Sequence, residues 1–262
     1  MIVLLLPTVD RKDWWVVTHK LLFDGTRPID FRPIHALTLL AKYLEKRNRV
    51  GIFSLCLSLE NKLFAVRHHL KDLLKSLSGV GDPLYTKRYV KEYGEQQKVI
   101  CDLEAFISAI YASLEISAQI NKKLHPELPM GFRKQSKKYD LFSFKKWEWL
   151  PYFFDLRSEL VHFGSPLPLV SDGKFIIEFT QTKRLEILKK GKYEVPFSEM
   201  VNYSKYLFDM LDDWAVYELK NINPDEEIVC FYEDKVNMPL KTKKIKAKEI
   251  LDIVDNYVKG NG

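Results

Sequence analysis

The chain has 262 residues, of which 46% are hydrophobic and 13% aromatic, so it is long enough and apolar enough to bury the core of one or two domains. Its 41 lysines and arginines exceed its 35 aspartates and glutamates, and the resulting formal charge of +6 modestly favours anionic partners such as nucleic acid. No apolar stretch of the sequence approaches the roughly 20 residues that a membrane span requires. Cys56, Cys101 and Cys230 are far apart and form no C-x-x-C pair. This spacing argues against a disulfide framework and a structural zinc site, and it favours the cytoplasm.

The first elements predicted along the chain are a short strand and two helices. The opening "MIVLLLP" has too short an apolar run and no basic region before it, so it predicts a strand rather than a signal peptide. A helix follows at about 34 to 48, with Leu37, Leu40 and Leu44 on one face. A second helix is expected to begin near Ser58, a suitable N-cap, and to end at Gly79 and Gly81. Its apolar face is predicted to contain Leu59, Leu63, Val66, Leu70, Leu73 and Leu77.

The strongest periodic signal is the segment "EQQKVICDLEAFISAIYASLEISAQINKKLH". It contains no glycine or proline, and its residues recur in steps of three and four, as on one face of a helix. The recurring positions are Val99, Leu103, Phe106, Ile110, Leu114, Ser117 and Asn121. A helix of this length spans on the order of 40 Å and is predicted to form the spine of a helical bundle.

A basic and aromatic segment, "GFRKQSKKYDLFSFKKWEW", comes next. Its basic residues are Arg133, Lys134, Lys137, Lys138, Lys145 and Lys146, and its aromatic residues are Phe132, Tyr139, Phe142, Phe144, Trp147 and Trp149. Cations that contact phosphates beside rings that stack on bases are typical of a surface that binds single-stranded nucleic acid. The alternative is that Trp147 and Trp149 anchor this segment to the core, while the basic side chains remain candidates for RNA contacts.

The next predicted helix carries the segment "DLRSELVHFGSPL". Pro151 suits its first turn, and its apolar face is predicted to contain Phe153, Leu156, Leu160 and Phe163. Gly164 fits the position just after the helix, and Pro166 follows it. The polar side chains predicted to lie off the apolar face are Asp155, Arg157, Ser158, Glu159 and His162.

Arg157 and His162 are the candidate chemical pair on this helix. Carbonyl groups in the last turn favour a protonated His162, which suits a general acid, and the guanidinium fork of Arg157 suits a phosphate. Residues five apart lie about 140° apart around a straight helix, so the pair requires Arg157 to reach around the helix or a second subunit to complete the site. The alternative is that His162 caps carbonyl groups and Arg157 forms a surface pair with a glutamate.

The last part of the chain is predicted to mix strands and helices. Short strands are expected at "KFIIEFT", "RLEILKK" and "KYEVPF", with a turn at Lys190–Gly191, and an amphipathic helix is expected to follow. That helix is predicted to bury Val201, Leu207, Phe208, Leu211 and Ala215. A strand at "EIVCFYE" and a basic helix from about Lys243 to Val258 complete the predicted elements. Lys241, Lys243, Lys244, Lys246 and Lys248 surround the start of this helix, either as a solvated face or as a site for an acidic partner.

With its long upstream helix, the Arg-x4-His spacing of Arg157 and His162 resembles the HEPN superfamily. The resemblance covers about residues 58 to 220. It implies a mainly α, HEPN-like helical bundle with a small β-meander after the motif helix and additions at both ends. The predicted divisions are an N-terminal extension at 1–33, a HEPN-like domain at 34–220 with a β-hairpin insertion at about 174–196, and a C-terminal strand and basic helix at 221–262.

Active HEPN members are metal-independent endoribonucleases that usually act as homodimers, with the two motifs facing each other. The resemblance therefore implies a catalytic role for Arg157, His162 and Ser158, RNA as substrate, and no metal or cofactor. It also implies a setting in toxin–antitoxin or phage-defence systems and a regulatory protein partner such as an antitoxin. Ser158 is a departure, because active members commonly have Asn, Asp or His after the arginine.

Two other interpretations remain open at the level of the sequence. One is a non-catalytic HEPN module that binds RNA or a protein partner, and the other is a helical scaffold in which the motif only caps a helix. The sequence contains no G-x-S-x-G elbow, P-loop or G-x-G-x-x-G motif, which argues against hydrolases, NTPases and dinucleotide enzymes of standard type.

Overall fold

The computed structural model describes residues 33–47, 51–80, 93–162, 166–171, 174–179, 192–232 and 241–260. These residues are mainly helical, which confirms the predicted mainly α class. The helices are α1 (Pro33–Arg47), α2 (Ile52–Val80), α3 (Tyr93–Leu124), α4 (Phe132–Gln135), α5 (Trp149–His162), α6 (Phe197–Leu219) and α7 (Ala247–Gly260). The strands are β1 (Pro166–Ser171), β2 (Lys174–Phe179), β3 (Lys192–Pro196), β4 (Glu227–Tyr232) and β5 (Lys241–Lys246).

The chain divides into two compact units. One comprises Met1–Phe53 and Leu211–Gly262, and the other comprises Ser54–Met210. The predicted domain boundaries at 33 and 220 stay predictions. The opening "MIVLLLP" lies outside the described residues.

Helix α3 is the central helix of the unit Ser54–Met210. All seven positions of its predicted apolar stripe are buried, including the polar residues Ser117 and Asn121. The helix contacts α4, α5 and β1. The prediction of a long buried helix at this place is therefore confirmed.

Helix α2 begins earlier than the sequence indicated. It begins at Ile52 rather than near Ser58, because the apolar face continues upstream through the buried Ile52, Phe53 and Cys56. Ser58 lies within the helix, and its hydroxyl donates to the carbonyl of Ser54 at 2.9 Å. The N-cap prediction for Ser58 is wrong, since a serine hydroxyl within a helix bonds the carbonyl four residues earlier.

A polar cluster joins α2 to α3. Lys98 Nζ lies 2.7 Å from Asp102 Oδ2 and 2.6 Å from Ser76 Oγ, and the Ser76 hydroxyl donates to the same carboxylate. Burial acts to raise the pKa of Asp102, but the hydrogen bonds from Lys98 and Ser76 outweigh it and leave the pKa below its usual value.

A three-stranded antiparallel sheet follows α5, in the order β1-β2-β3. The predicted strands at "KFIIEFT" and "KYEVPF" correspond to β2 and β3. Strand β1, which contains Pro166 and Pro168, was not predicted. It is an edge strand of the sheet, the position in which prolines are tolerated. The predicted strand "RLEILKK", the turn at Lys190–Gly191 and Gly164 lie outside the described residues.

Helix α6 buries Leu207, Phe208, Leu211 and Ala215 as predicted. Val201 is 44% exposed, so its predicted place on the buried face is wrong. The helix begins at Phe197, where β3 ends.

In the other unit, α1 contacts α7, and β4 pairs with β5. Leu37 and Leu40 of α1 are buried as predicted. The basic helix expected from about Lys243 is wrong at its start, because residues 241–246 form β5 and α7 begins only at Ala247. Antiparallel pairing with β4 determines this conformation: Ile245 is buried, Lys244 pairs with Glu227 at 3.2 Å, and Lys246 pairs with Asp225 at 3.0 Å.

Candidate functional site

Helix α5 carries the three predicted catalytic residues. It runs from Trp149 to His162, with Pro151 in its first turn and Phe153, Leu156 and Leu160 buried as predicted. Arg157 and Ser158 are half-buried, and His162 is the last residue of the helix. The side chain of His162 and the whole of Phe163 lie outside what the structure describes, so the orientation of the predicted pair stays a prediction.

The guanidinium of Arg157 lies on an aromatic ring of α3. Its Cζ is 4.1 Å from the centre of the Tyr111 ring, a close cation–π contact. Among the described residues, the guanidinium forms no ion pair or hydrogen bond in addition to this contact. The surface pair with a glutamate that the sequence left open is therefore not formed with any described carboxylate.

An aromatic cluster surrounds this contact. Tyr111 meets Phe154 of α5 edge to face, with the ring centres 6.0 Å apart. Phe154 is buried and also lies against Phe132 and Phe144 of the basic and aromatic segment, at 6.1 and 6.0 Å. The Cζ of Arg133 lies 5.8 Å from the centre of the Phe154 ring. Two arginines from different parts of the chain are thus held on two rings that touch each other.

The Tyr111 hydroxyl lies among charged groups. Burial is the largest cause that raises its pKa above the usual value, and the nearby carboxylate of Glu115 raises it further. Arg157 and Arg133 act in the opposite direction without reversing the shift. Tyr111 is therefore a neutral phenol at physiological pH, and its ring remains available to a cation.

The turn into α4 is fixed by backbone geometry and by a buried amide network. Gly131 has a φ of +84°, and its carbonyl accepts the N–H groups of Lys134 and Gln135 at 3.2 and 3.1 Å. The Gln135 side chain donates to the carbonyls of Ala118 and Pro129 at 2.8 and 2.9 Å, and accepts from Asn121 at 3.0 Å. Because Gln135 and Asn121 are fully buried, this network fastens the segment to α3.

The basic and aromatic segment separates into an inner and an outer set of side chains. Its basic residues Arg133, Lys134, Lys137, Lys138, Lys145 and Lys146 are all exposed. Its aromatic residues are buried or half-buried, and the Trp147 indole donates to the carbonyl of Leu141 at 2.8 Å. The interpretation of Trp147 and Trp149 as anchors is supported, since Trp149 is buried and Trp147 is held by this bond.

One residue of the motif helix lies on a different side from the one predicted. Glu159 was expected off the apolar face, but it is fully buried. A buried carboxyl group requires polar partners to offset the loss of water, and Glu159 does take part in such interactions.

Three residues of the site, Tyr111, Glu115 and Phe154, were not predicted from the sequence. Their signal is present on α3, where Tyr111 and Glu115 lie four residues apart and off the buried stripe. A tyrosine and a glutamate so placed indicate a polar face directed at a neighbouring element. Which element that is depends on the packing of α5 against α3.

Within the described residues there is no group of three or more His, Cys, Asp and Glu side chains placed to hold a metal ion. No helix among these residues is both long and apolar enough to cross a membrane. Comparisons with protein-family models, curated proteins and solved structures gave no match to this chain.

Proposed function

We propose that this chain is a HEPN-type, metal-independent endoribonuclease that cleaves RNA to a 2′,3′-cyclic phosphate and a 5′-hydroxyl. Arg157 and His162 are its reactive pair, and Ser158 is an auxiliary hydrogen-bonding group. The proposal includes a homodimer, and a setting in toxin–antitoxin or phage-defence systems with a regulatory protein partner.

The state of Arg157 is the observation that carries this proposal. Its guanidinium is half-buried and rests on the Tyr111 ring, and it forms no ion pair with a carboxylate of the described residues. A cation held in this way keeps its planar fork of donors available for a phosphate. It lies on the same helix as His162, within the last two turns.

The chemistry requires only positioning and proton transfer. The 2′-hydroxyl of one nucleotide attacks the adjacent phosphorus, a base removes its proton, and the departing 5′-oxygen receives a proton from an acid. His162 supplies one of these proton transfers, because an imidazole titrates near neutral pH. Arg157 stabilises the charge that develops on the phosphoryl oxygens.

The exposed cations of the basic and aromatic segment supply the RNA-binding surface in this proposal. Six basic side chains point to solvent, while the rings between them hold the segment to the core. Such a surface contacts phosphates and carries little base specificity.

A second candidate function is a non-catalytic HEPN module that binds RNA or a protein partner. The observation that favours it is Ser158, which is half-buried and cannot titrate near neutral pH. Under this alternative Arg157 and the basic segment bind an anionic partner, and no bond is cleaved.

The test is an RNA cleavage assay in excess EDTA. The purified full chain is incubated with a single-stranded RNA, and the ends of the products are analysed. We expect cleavage that yields 5′-hydroxyl ends, and a loss of at least about 100-fold in rate for His162→Ala, as for the removal of a general acid or base. His68→Ala is the matched control, since His68 is an exposed histidine on α2.

Two outcomes would contradict this proposal, either in the activity or in the residues assigned to it. RNA that stays intact under all conditions rejects catalysis, and a salt-sensitive gel shift in that case supports the binding module. Cleavage that persists in His162→Ala would reject the proposed pair.

A further inference from the structure

We infer that Arg133 and Arg157 form a single two-arginine site for phosphates of one RNA strand, and that Tyr111 is the positioning residue that fixes Arg157 in it. The identity of the ligand as RNA rests on the proposed function. The two-arginine site itself is defined by Arg133, Arg157 and the rings of Tyr111 and Phe154.

Both guanidiniums are held by the faces of aromatic rings. Arg157 lies 4.1 Å from the ring centre of Tyr111, and Arg133 lies 5.8 Å from that of Phe154. A cation–π contact restrains a guanidinium, but the N–H groups lie in the plane of the guanidinium and stay available to a ligand. Within the described part of the chain, neither arginine has an ion pair with a carboxylate.

The two arginines belong to one cluster of side chains. The rings of Tyr111 and Phe154 touch edge to face at 6.0 Å, so each arginine lies on one member of a contacting pair. Both arginines also act electrostatically on the Tyr111 hydroxyl. The Glu115 carboxylate acts on the same hydroxyl, so two positive groups share the cluster with one negative group. The remaining positive charge favours the binding of a further anion.

The backbone that carries each arginine is fixed before any ligand binds. Arg133 lies on α4, whose backbone is fixed by Gly131 and by the buried amide network of Gln135. Arg157 lies on α5, which is packed against α3. A ligand therefore meets cations on rigid backbone and loses little binding free energy to their ordering.

The exposed lysines near Arg133 favour RNA over an acidic protein. A phosphate and a carboxylate both accept two parallel hydrogen bonds from a guanidinium, so the arginines alone do not distinguish them. The difference lies in Lys134, Lys137 and Lys138, which add exposed positive charge along the same segment. A continuous row of cations matches the regular charge of a nucleic acid backbone.

Binding is measured with the full chain carrying His162→Ala, so that a fluorescent single-stranded RNA stays intact. Affinity is measured over a series of salt concentrations. Because each phosphate contact on a single strand contributes about 0.7 to the slope of log K against log salt, Arg133→Gln and Arg157→Gln should each reduce that slope by about 0.7. Lys205→Gln removes an exposed positive charge from α6 and should leave the slope unchanged.

The role of Tyr111 is measured by cleavage kinetics in the otherwise unchanged chain. Tyr111→Leu removes the ring under Arg157 and should lower kcat/KM about tenfold and reduce the salt slope of RNA affinity toward that of Arg157→Gln. Tyr111→Phe keeps the ring and should keep kcat/KM within about twofold. Thermal unfolding of both variants reports any loss of folding. Arg133→Gln changes an exposed side chain and should leave the chain folded. A change in RNA affinity in this variant therefore reports the loss of the positive charge.

The outcomes distinguish this inference from the proposed function. RNA that binds with the predicted slopes but is never cleaved rejects the nuclease and supports the two-arginine site. Cleavage by the wild-type chain with an unchanged slope in Arg133→Gln overturns the two-arginine site and leaves the nuclease in place. Poly-glutamate that displaces RNA at equal charge concentration overturns the preference for phosphate.

Discussion

At the scale of single residues, Gln135 links the fold to the candidate site. Its side chain forms three hydrogen bonds in a fully buried position, two to backbone carbonyls and one to Asn121. It is flanked by exposed basic residues that the proposal assigns to RNA. A buried amide in this position holds the cations in place without contacting a ligand itself.

We expect Gln135→Leu to lower the free energy of unfolding by about 2–3 kcal/mol, because it leaves the Asn121 amide and two carbonyls without their partner in the core. Urea denaturation of the full chain measures the change. The neighbouring Lys134→Ala is the matched control and should change stability by less than about 0.5 kcal/mol, since Lys134 is exposed. Equal effects of the two substitutions would show that the network contributes nothing.

At the scale of elements, β5 shows how pairing overrides a local signal. The run of lysines resembles an exposed helix start, yet residues 241–246 form a strand next to β4. The N–H groups of Ala247 and Lys248 then bond the carbonyls of Glu226 and Pro224 at 2.8 and 2.9 Å, which fixes where α7 begins. The apolar contact of this strand is Ile245, and its lysines pair only at the surface.

The stability of this hairpin should therefore depend on the isoleucine and not on the lysines. We expect Ile245→Ala to destabilise the chain by about 2 kcal/mol and Lys244→Ala by less than about 0.5 kcal/mol, because an exposed ion pair contributes little. Thermal unfolding monitored by circular dichroism measures both changes. A larger loss in Lys244→Ala than in Ile245→Ala would contradict this account.

At the scale of the whole molecule, the separation of about 140° between Arg157 and His162 bears on how the proposed homodimer would build its active site. Arg157 is held on Tyr111 of its own chain, so we propose that it does not reach around the helix toward His162. In the proposed homodimer, the His162 that acts with a given Arg157 then belongs to the partner chain, and each active site is shared.

Mixing two inactive variants tests this arrangement. Arg157→Ala and His162→Ala chains are unfolded together and refolded at equal concentration. If the sites are shared, half of the dimers are mixed, each contains one intact site, and activity returns to about one quarter of the wild-type level. If both residues of a site come from one chain, the mixture stays inactive. Light scattering shows in each case whether dimers have formed.

Long apolar periodicity predicted much of the fold correctly. The stripe of α3, the position of α1 and the buried face of α5 follow from steps of three and four residues, because a helix of this kind is stable only when that face is buried. The errors have different causes. Ser58 bonds the carbonyl of Ser54 within a helix that begins earlier than its local signal indicated. The strand β1 depends on pairing with β2, and the start of α7 depends on bonds to Glu226 and Pro224, more than 20 residues earlier in the chain.

The candidate site divides in the same way. The sequence by itself determined the positions of Arg157, Ser158 and His162 on one short helix and the run of exposed cations before it, because helix periodicity and charge are local properties. Only the tertiary structure decided that Arg157 rests on Tyr111, that Arg133 lies on the adjoining Phe154, and that Glu159 is buried. These facts depend on how α5 packs against α3, and ring contacts between residues far apart in the chain leave no periodic signal in the sequence.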